Sequence, residues 1–124
     1  MATKTDTTTV LVVDDDSQLR TLTKLILGKS GYNVLTAPCA EEAIRLIEQN
    51  PASIGMVVSD IHMGGMSGLD LHKHLRGICP QIPVLLVSGA YQGDCHDFAF
   101  LPKPYSFKDL LGKVETMTRM AIAA

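Results

Sequence analysis

The sequence predicts an α/β fold, a parallel sheet covered by helices on both faces, and three observations carry that prediction. Short apolar runs recur along the chain: Val10-Leu11-Val12-Val13, Met56-Val57-Val58-Ser59, Val84-Leu85-Leu86-Val87 and Phe98-Ala99-Phe100-Leu101. Runs of four to six apolar residues between helical patterns read as buried parallel strands. The order of these patterns is β-α-β-α-β-α-β-?-β-α, which gives a doubly wound sheet of five strands. Each of the four runs also ends in a polar group: Asp14-Asp15-Asp16, Asp60, Ser88 and Lys103 between Pro102 and Pro104. In an open parallel sheet all strand carboxyl ends lie at one edge, where ligands bind.

The elements follow in order. Residues 1–9 (MATKTDTTT) are a Thr-rich polar lead, expected to be disordered. Strand 1 spans about 10–14, and a helix follows at about 17–29 with Leu19, Leu22 and Ile26 on one face. Asp16 or Ser17 can cap its start, and Gly31 suits the left-handed position just past its end. Strand 2 is Tyr32 to Thr36. The second helix, about 39–49, is expected to bury Ala43, Ile44 and Ile47, with Pro51 as punctuation. Strand 3 runs Met56 to Asp60, and a Gly- and Met-rich loop reaches Ser67. Helix 3, about 68–77, should turn Leu71, Leu75 and Ile78 inward, and Pro80 to Pro83 closes it. Strand 4 is Val84 to Val87 and strand 5 Phe98 to Leu101. The last helix, about 107–121, sets Leu110, Leu111, Val114, Met117 and Ala121 on one side. The nine residues 89–97 between Ser88 and Phe98 include Gly89 and Gly93. A parallel crossover needs roughly a dozen or more, so a loop or a single helical turn is expected there.

Length and composition set limits. At 124 residues the chain makes one domain, and 46% hydrophobic with 19% charged residues is the balance of a globular protein with a core. A net charge of −2 and the lack of a Lys/Arg-rich run argue against a direct nucleic-acid surface. No stretch approaches the roughly 18 apolar residues of a membrane span, so no membrane partner is expected. Met1 to Thr9 has no apolar centre of the secretory kind. Cys39, Cys79 and Cys95 form an odd set without CxxC spacing, which points to a reduced, cytoplasmic setting.

The polar strand ends define a chemistry. Two like charges 4 Å apart cost about 4 kcal/mol at an effective dielectric near 20. Three carboxylates at one edge therefore raise a carboxyl pKa or recruit a divalent cation. Mg²⁺ fits, because it takes oxygen ligands, binds through one or two carboxylates and keeps water and phosphate in its shell. A carboxylate can also attack phosphorus to give an aspartyl phosphate. The added charge, roughly −2, then calls for a cation and donors, which Lys103 and Ser88 supply. Asp16 reads as a helix cap rather than a ligand. His72 and His74 are two apart on a helix and do not face each other. Cys95-His96-Asp97 has no second cluster to complete a zinc site. Gly65-Met66-Ser67-Gly68 does not complete a hydrolase nucleophile elbow.

Together these residues resemble the receiver domain of two-component response regulators, over nearly the whole chain from Val10 onward. The motifs are Val12-Val13-Asp14-Asp15, Ser59-Asp60-Ile61-His62-Met63, Met66-Ser67-Gly68-Leu69, Val87-Ser88-Gly89 and Lys103-Pro104-Tyr105. The resemblance implies a receiver domain at 10–121 with a flavodoxin-like sheet of order 2-1-3-4-5. It implies Asp60 as phosphoacceptor, and Mg²⁺ held by Asp14, Asp15, Asp60 and the backbone carbonyl of His62. Lys103 and Ser88 would contact the phosphoryl oxygens, and Phe100 would move as Ser88 shifts. The donor would be a histidine kinase or phosphotransfer protein. The chain would catalyse only its own phosphorylation and dephosphorylation, so it is not an enzyme in the ordinary sense. It would act alone or as the receiver part of a larger protein such as a hybrid kinase.

Departures from the family pattern qualify the output. Gly64 replaces the usual proline after Met63, and Ala90 puts a small apolar group two past Ser88. The short 89–97 segment leaves the fourth helix of the usual five shortened or missing. The expected face for a homodimer, formed by strand 4, strand 5 and the last helix, is altered with it. Two other classes share parts of this pattern: a pseudo-receiver with a vestigial site, and a small Mg²⁺-dependent phosphatase. The first conflicts with the complete set of charged residues; the second needs an acid two after Asp60, where His62 stands.

Overall fold

The computed structural model describes residues 8–90 and 98–123, with side chains of the last helix described as far as Arg119. The elements are β1 (Thr9–Val13), α1 (Ser17–Lys29), β2 (Asn33–Ala37), α2 (Ala40–Gln49), β3 (Ile54–Asp60), α3 (Gly68–Ile78), β4 (Val84–Ser88), β5 (Ala99–Pro102) and α4 (Phe107–Ala123). The strands form one parallel sheet in the order β2-β1-β3-β4-β5. This is the flavodoxin-like arrangement, whose chain reverses direction of travel between β1 and β3. That reversal opens a crevice at the strands' carboxyl ends.

Alternate residues of each strand feed opposite faces. Leu11, Val13, Val57 and Leu86 pack with Ala43 and Ile47 of α2 and Leu71 and Leu75 of α3. Val10, Val12, Val58, Leu85 and Val87 pack with Leu27 of α1 and Leu110 and Val114 of α4. Burial on both faces explains why the strands read as unbroken apolar runs. Ile54 and Met56 have the same parity yet serve different faces. A register shift makes this possible: Thr9 pairs with Ile54 but Val10 with Met56, leaving Gly55 as the extra residue.

The helix ends follow local chemistry. Asp16 caps α1 by accepting from the N–H groups of Gln18 and Leu19. Gly31 takes the left-handed conformation at φ 99°. Ser67 and Asp70 form a reciprocal capping box at the start of α3.

Two sequence expectations are corrected, for Thr9 and Ile78, and one, the shared face of Leu19, Leu22 and Ile26 in α1, holds but lies away from the sheet. Thr9 belongs to β1, and the Asn33 N–H donates to the Thr8 carbonyl, so the ladder reaches into the polar lead. In α1 the buried residues are Thr23 and Leu27; Leu19 and Leu22 are 39% and 41% exposed. The more apolar stripe faces a groove rather than the sheet. In α3, Ile78 is 45% exposed and Cys79 is buried in its place. Spacing accounts for this, since Leu71, Leu75 and Cys79 recur at i+4. The loop or single helical turn expected over 89–97 lies, for residues 91–97, outside the described residues; Gly89 and Ala90 form a bend after β4.

Candidate functional site

Strand register builds the site. Val13 pairs with Ser59 across β1 and β3, so Asp14 and Asp60 occupy neighbouring ends of adjacent strands. Asp60 pairs with Val87, and Ser88 pairs with Pro102, which places Ser88 and Lys103 on the other flank. The Lys103 N–H donates to the Ser88 carbonyl at 2.8 Å. The Lys103 ammonium Nζ lies 3.6 Å from Asp60 Oδ1. Asp14, Asp15 and Asp60 each offer a carboxylate oxygen, and these oxygens lie within 4.8 Å of one another.

Asp14 is buried at 7% exposure, Asp60 is partly buried and Asp15 is exposed. Burial raises the Asp60 carboxyl above its ordinary range, and the nearby positive charge of Lys103 opposes the shift. Asp14 is raised for the same first reason, opposed by a hydrogen bond from the Asp16 N–H at 2.9 Å and by Lys103. Desolvated carboxylates of one sign, all oxygen donors, suit a hard divalent cation.

The remaining predicted residues take clear positions. Ser88 is buried, and its Oγ accepts from the Ala90 N–H at 3.1 Å. Phe100 is partly buried against the α2/α3 core, level with Leu86 of β4. His62 is exposed two residues past Asp60. Cys95-His96-Asp97 lies outside the described residues.

Two further residues contribute, Arg20 and Tyr105, the second carried in the Lys103-Pro104-Tyr105 motif without an expected site role. Arg20 Nη1 donates to the Asp14 carbonyl at 2.7 Å, tying α1 to the acidic loop. Its place one turn into the helix after the acidic run was the available hint. Tyr105 is partly buried, shares a hydrogen bond with Thr23, and has its phenol raised by burial and then by the charge of Asp14. Beside this pair lies an apolar groove of about 510 Å³, lined by Leu19, Leu22, Ile26, Phe107 and Lys103 among others. Leu22 and Phe107 are both well exposed there.

The family model of the response regulator receiver domain matches residues 10–115. The chain belongs to the response regulator receiver family. It is 36% identical over 117 residues to the sensor kinase CckA of Brucella abortus (strain 2308), covering 88% of this chain and 12% of that protein. It is 30% identical to the transcriptional regulatory protein CpxR of Klebsiella pneumoniae subsp. pneumoniae (strain HS11286), covering 89% of this chain and 49% of that one. The chain thus spans half or less of these relatives' length. Among solved structures, the receiver domain of the hybrid histidine kinase CckA aligns with a TM-score of 0.79 at 34% identity, covering 89% and 98% of the two chains. The response regulator TrrA of Thermotoga maritima, solved in complex with Mg(2+)-BeF, aligns with a TM-score of 0.81 at 29% identity, covering 89% and 98%. No described helix is long and apolar enough to cross a membrane.

Proposed function

We propose that this chain is a phosphoacceptor in a two-component phosphorelay, taking a phosphoryl group from phosphohistidine onto Asp60. The observation that carries this reading is the set of three carboxylates within 4.8 Å of one another, with the Lys103 ammonium 3.6 Å from Asp60. An Asp60 carboxylate oxygen attacks phosphorus, the N–P bond breaks, and the donor imidazole leaves with the electron pair. Hydrolysis of the acyl phosphate later returns Asp60 and inorganic phosphate, so the chain acts only on itself. Asp14, Asp15, Asp60 and the His62 carbonyl would hold Mg²⁺, which when bound would offset the charge of the phosphoryl oxygens. Lys103 reaches those oxygens as a mobile cation, and Ser88 turns its hydroxyl toward them, leaving Ala90. Phe100, on the strand beside Ser88, follows that movement as the conformational switch.

The donor is a histidine kinase or phosphotransfer protein. The groove beside α1 shares Lys103 with the site, so a donor presenting its histidine to Asp60 lies across Leu19, Leu22 and Phe107. Similarity to the CckA receiver supports a place within a hybrid kinase or beside one, on the cytoplasmic side; the free cysteines Cys39 and Cys79 suit that compartment. The test is Mg²⁺-dependent labelling by acetyl phosphate. Wild type should label and Asp60→Asn should not. Labelling that persists in Asp60→Asn, or that proceeds equally well in EDTA, would overturn the reading.

A further inference from the structure

Gly68 has no part in the chemistry above, although it sits in one of the sequence motifs. It is the first residue of α3 and is buried. A Cβ on Gly68 would lie 2.3 Å from the Asp60 carbonyl oxygen and 3.0 Å from both the Asp60 carbonyl carbon and Ile61 Cα. All three are main-chain atoms, so no rotamer change relieves the overlap. Hydrogen bonds fasten the contact from both sides. The Gly68 N–H donates to the Ile61 carbonyl at 2.9 Å, and the Ile61 N–H donates to the Val87 carbonyl at 2.9 Å. Ser59 Oγ donates to the same Asp60 carbonyl at 2.9 Å. The Asp60–Ile61 main chain is thereby held between the start of α3 and β4.

We infer that Gly68 is a positioning residue for the phosphoacceptor: its missing side chain sets where the Asp60 main chain rests, and so where the carboxylate meets Asp14, Asp15 and Lys103. The inference rests on the reading of Asp60 as acceptor. Space, rather than conformation, makes the demand, since the described glycines with positive φ are Gly31 and Gly65. Alanine is otherwise the better helix former. A purely helical role for Gly68 therefore predicts that alanine is harmless or helpful.

Gly77, in the same helix, has nothing within 4 Å of its would-be Cβ. Gly68→Ala and Gly77→Ala are thus the same substitution in α3, with and without the contact. Both are compared with wild type well below their melting temperatures by three readings: the ¹³C shift of the Asp60 carboxyl without metal, Mg²⁺ affinity by calorimetry, and acetyl phosphate labelling. Gly68→Ala should move the Asp60 shift, weaken Mg²⁺ by about 10–100-fold and slow labelling by about tenfold or more. Gly77→Ala should change none of them. Where Gly68→Ala does not fold, Ser67→Ala loosens the same seam from its exposed cap and should weaken Mg²⁺ about tenfold or more. Unchanged Asp60 shift and Mg²⁺ affinity in the folded variant would overturn the inference, with the proposed function still standing. Failure of wild type to label would instead overturn the function, and the metal-free Asp60 shift would still decide the role of Gly68.

Discussion

Lys103 Nζ stands 3.6 Å from Asp60 Oδ1, joining the loop after β5 to the end of β3 across the whole width of β4. Burial raises the Asp60 carboxyl, and Lys103 is the largest influence opposing that rise. Replacing Lys103 with methionine should therefore make Asp60 titrate at higher pH than in wild type, as read by carboxyl ¹³C NMR without metal. Labelling by acetyl phosphate should fall by about 100-fold, the usual cost of losing a transition-state cation or donor. An unchanged Asp60 titration would show that the two groups do not interact in solution.

The raised carboxyls also give the metal-free protein a defined pH dependence. For Asp14 and Asp60 the folded pKa exceeds the ordinary 3.8, so the folded state holds protons that the unfolded chain has released. Their contribution is fully present below the unfolded value and is lost as pH rises through the folded one. Asp60→Asn should accordingly melt higher than wild type at pH 7, with the difference shrinking toward pH 4. Mg²⁺ should stabilise wild type, by about 2.7 kcal/mol at a hundredfold excess over its dissociation constant. An Asp60→Asn protein that melts lower than wild type at pH 7 in EDTA contradicts this account.

Strand order came with the family resemblance, whereas the charged strand ends were legible because a buried parallel strand is a continuous apolar run, and the residue that ends it is where solvent begins. That logic located Asp14, Asp60, Ser88 and Lys103 from local pattern alone. Helix faces were harder to read. α1 carries two stripes, and the sheet takes the one containing Thr23 and Leu27 while Leu19 and Leu22 stay exposed. Hydrophobicity identifies a stripe but does not say which neighbour covers it. The contact of Gly68 with the Asp60 carbonyl, and of Arg20 with the Asp14 carbonyl, were out of reach for a different reason. Both are meetings with main-chain atoms of another element, which no side-chain pattern encodes.

The end of α3 turns that lesson into a stability test. Leu75 is buried at 1% exposure, whereas Ile78 is 45% exposed. Leu75→Ala should cost about 2–5 kcal/mol, by lost transfer energy and an unfilled cavity. Ile78→Ser should stay within about 0.5 kcal/mol of wild type, as an ordinary surface change. Urea denaturation measures both. A cost for Ile78→Ser approaching that of Leu75→Ala would mean that Ile78, not Cys79, completes the buried stripe.

The exposed stripe of α1 offers a way to separate donor recognition from chemistry. Leu22 lines the groove that also contains Lys103, but it is absent from the acidic cluster itself. Acetyl phosphate is small enough to reach Asp60 without covering the groove; a phosphohistidine protein is not. Leu22→Glu places a charge where an apolar partner surface would be desolvated, a change of the kind that costs interface residues more than 1 kcal/mol. Transfer from a phosphorylated histidine kinase or phosphotransfer protein should fall by about tenfold or more, since about 1.4 kcal/mol is a factor of ten. Labelling by acetyl phosphate should stay within about twofold, because Asp60, Lys103 and the carboxylates are untouched. Equal loss with both donors would place the effect of Leu22 on the site rather than on docking, and unchanged transfer from the protein donor would remove the groove from the recognition surface.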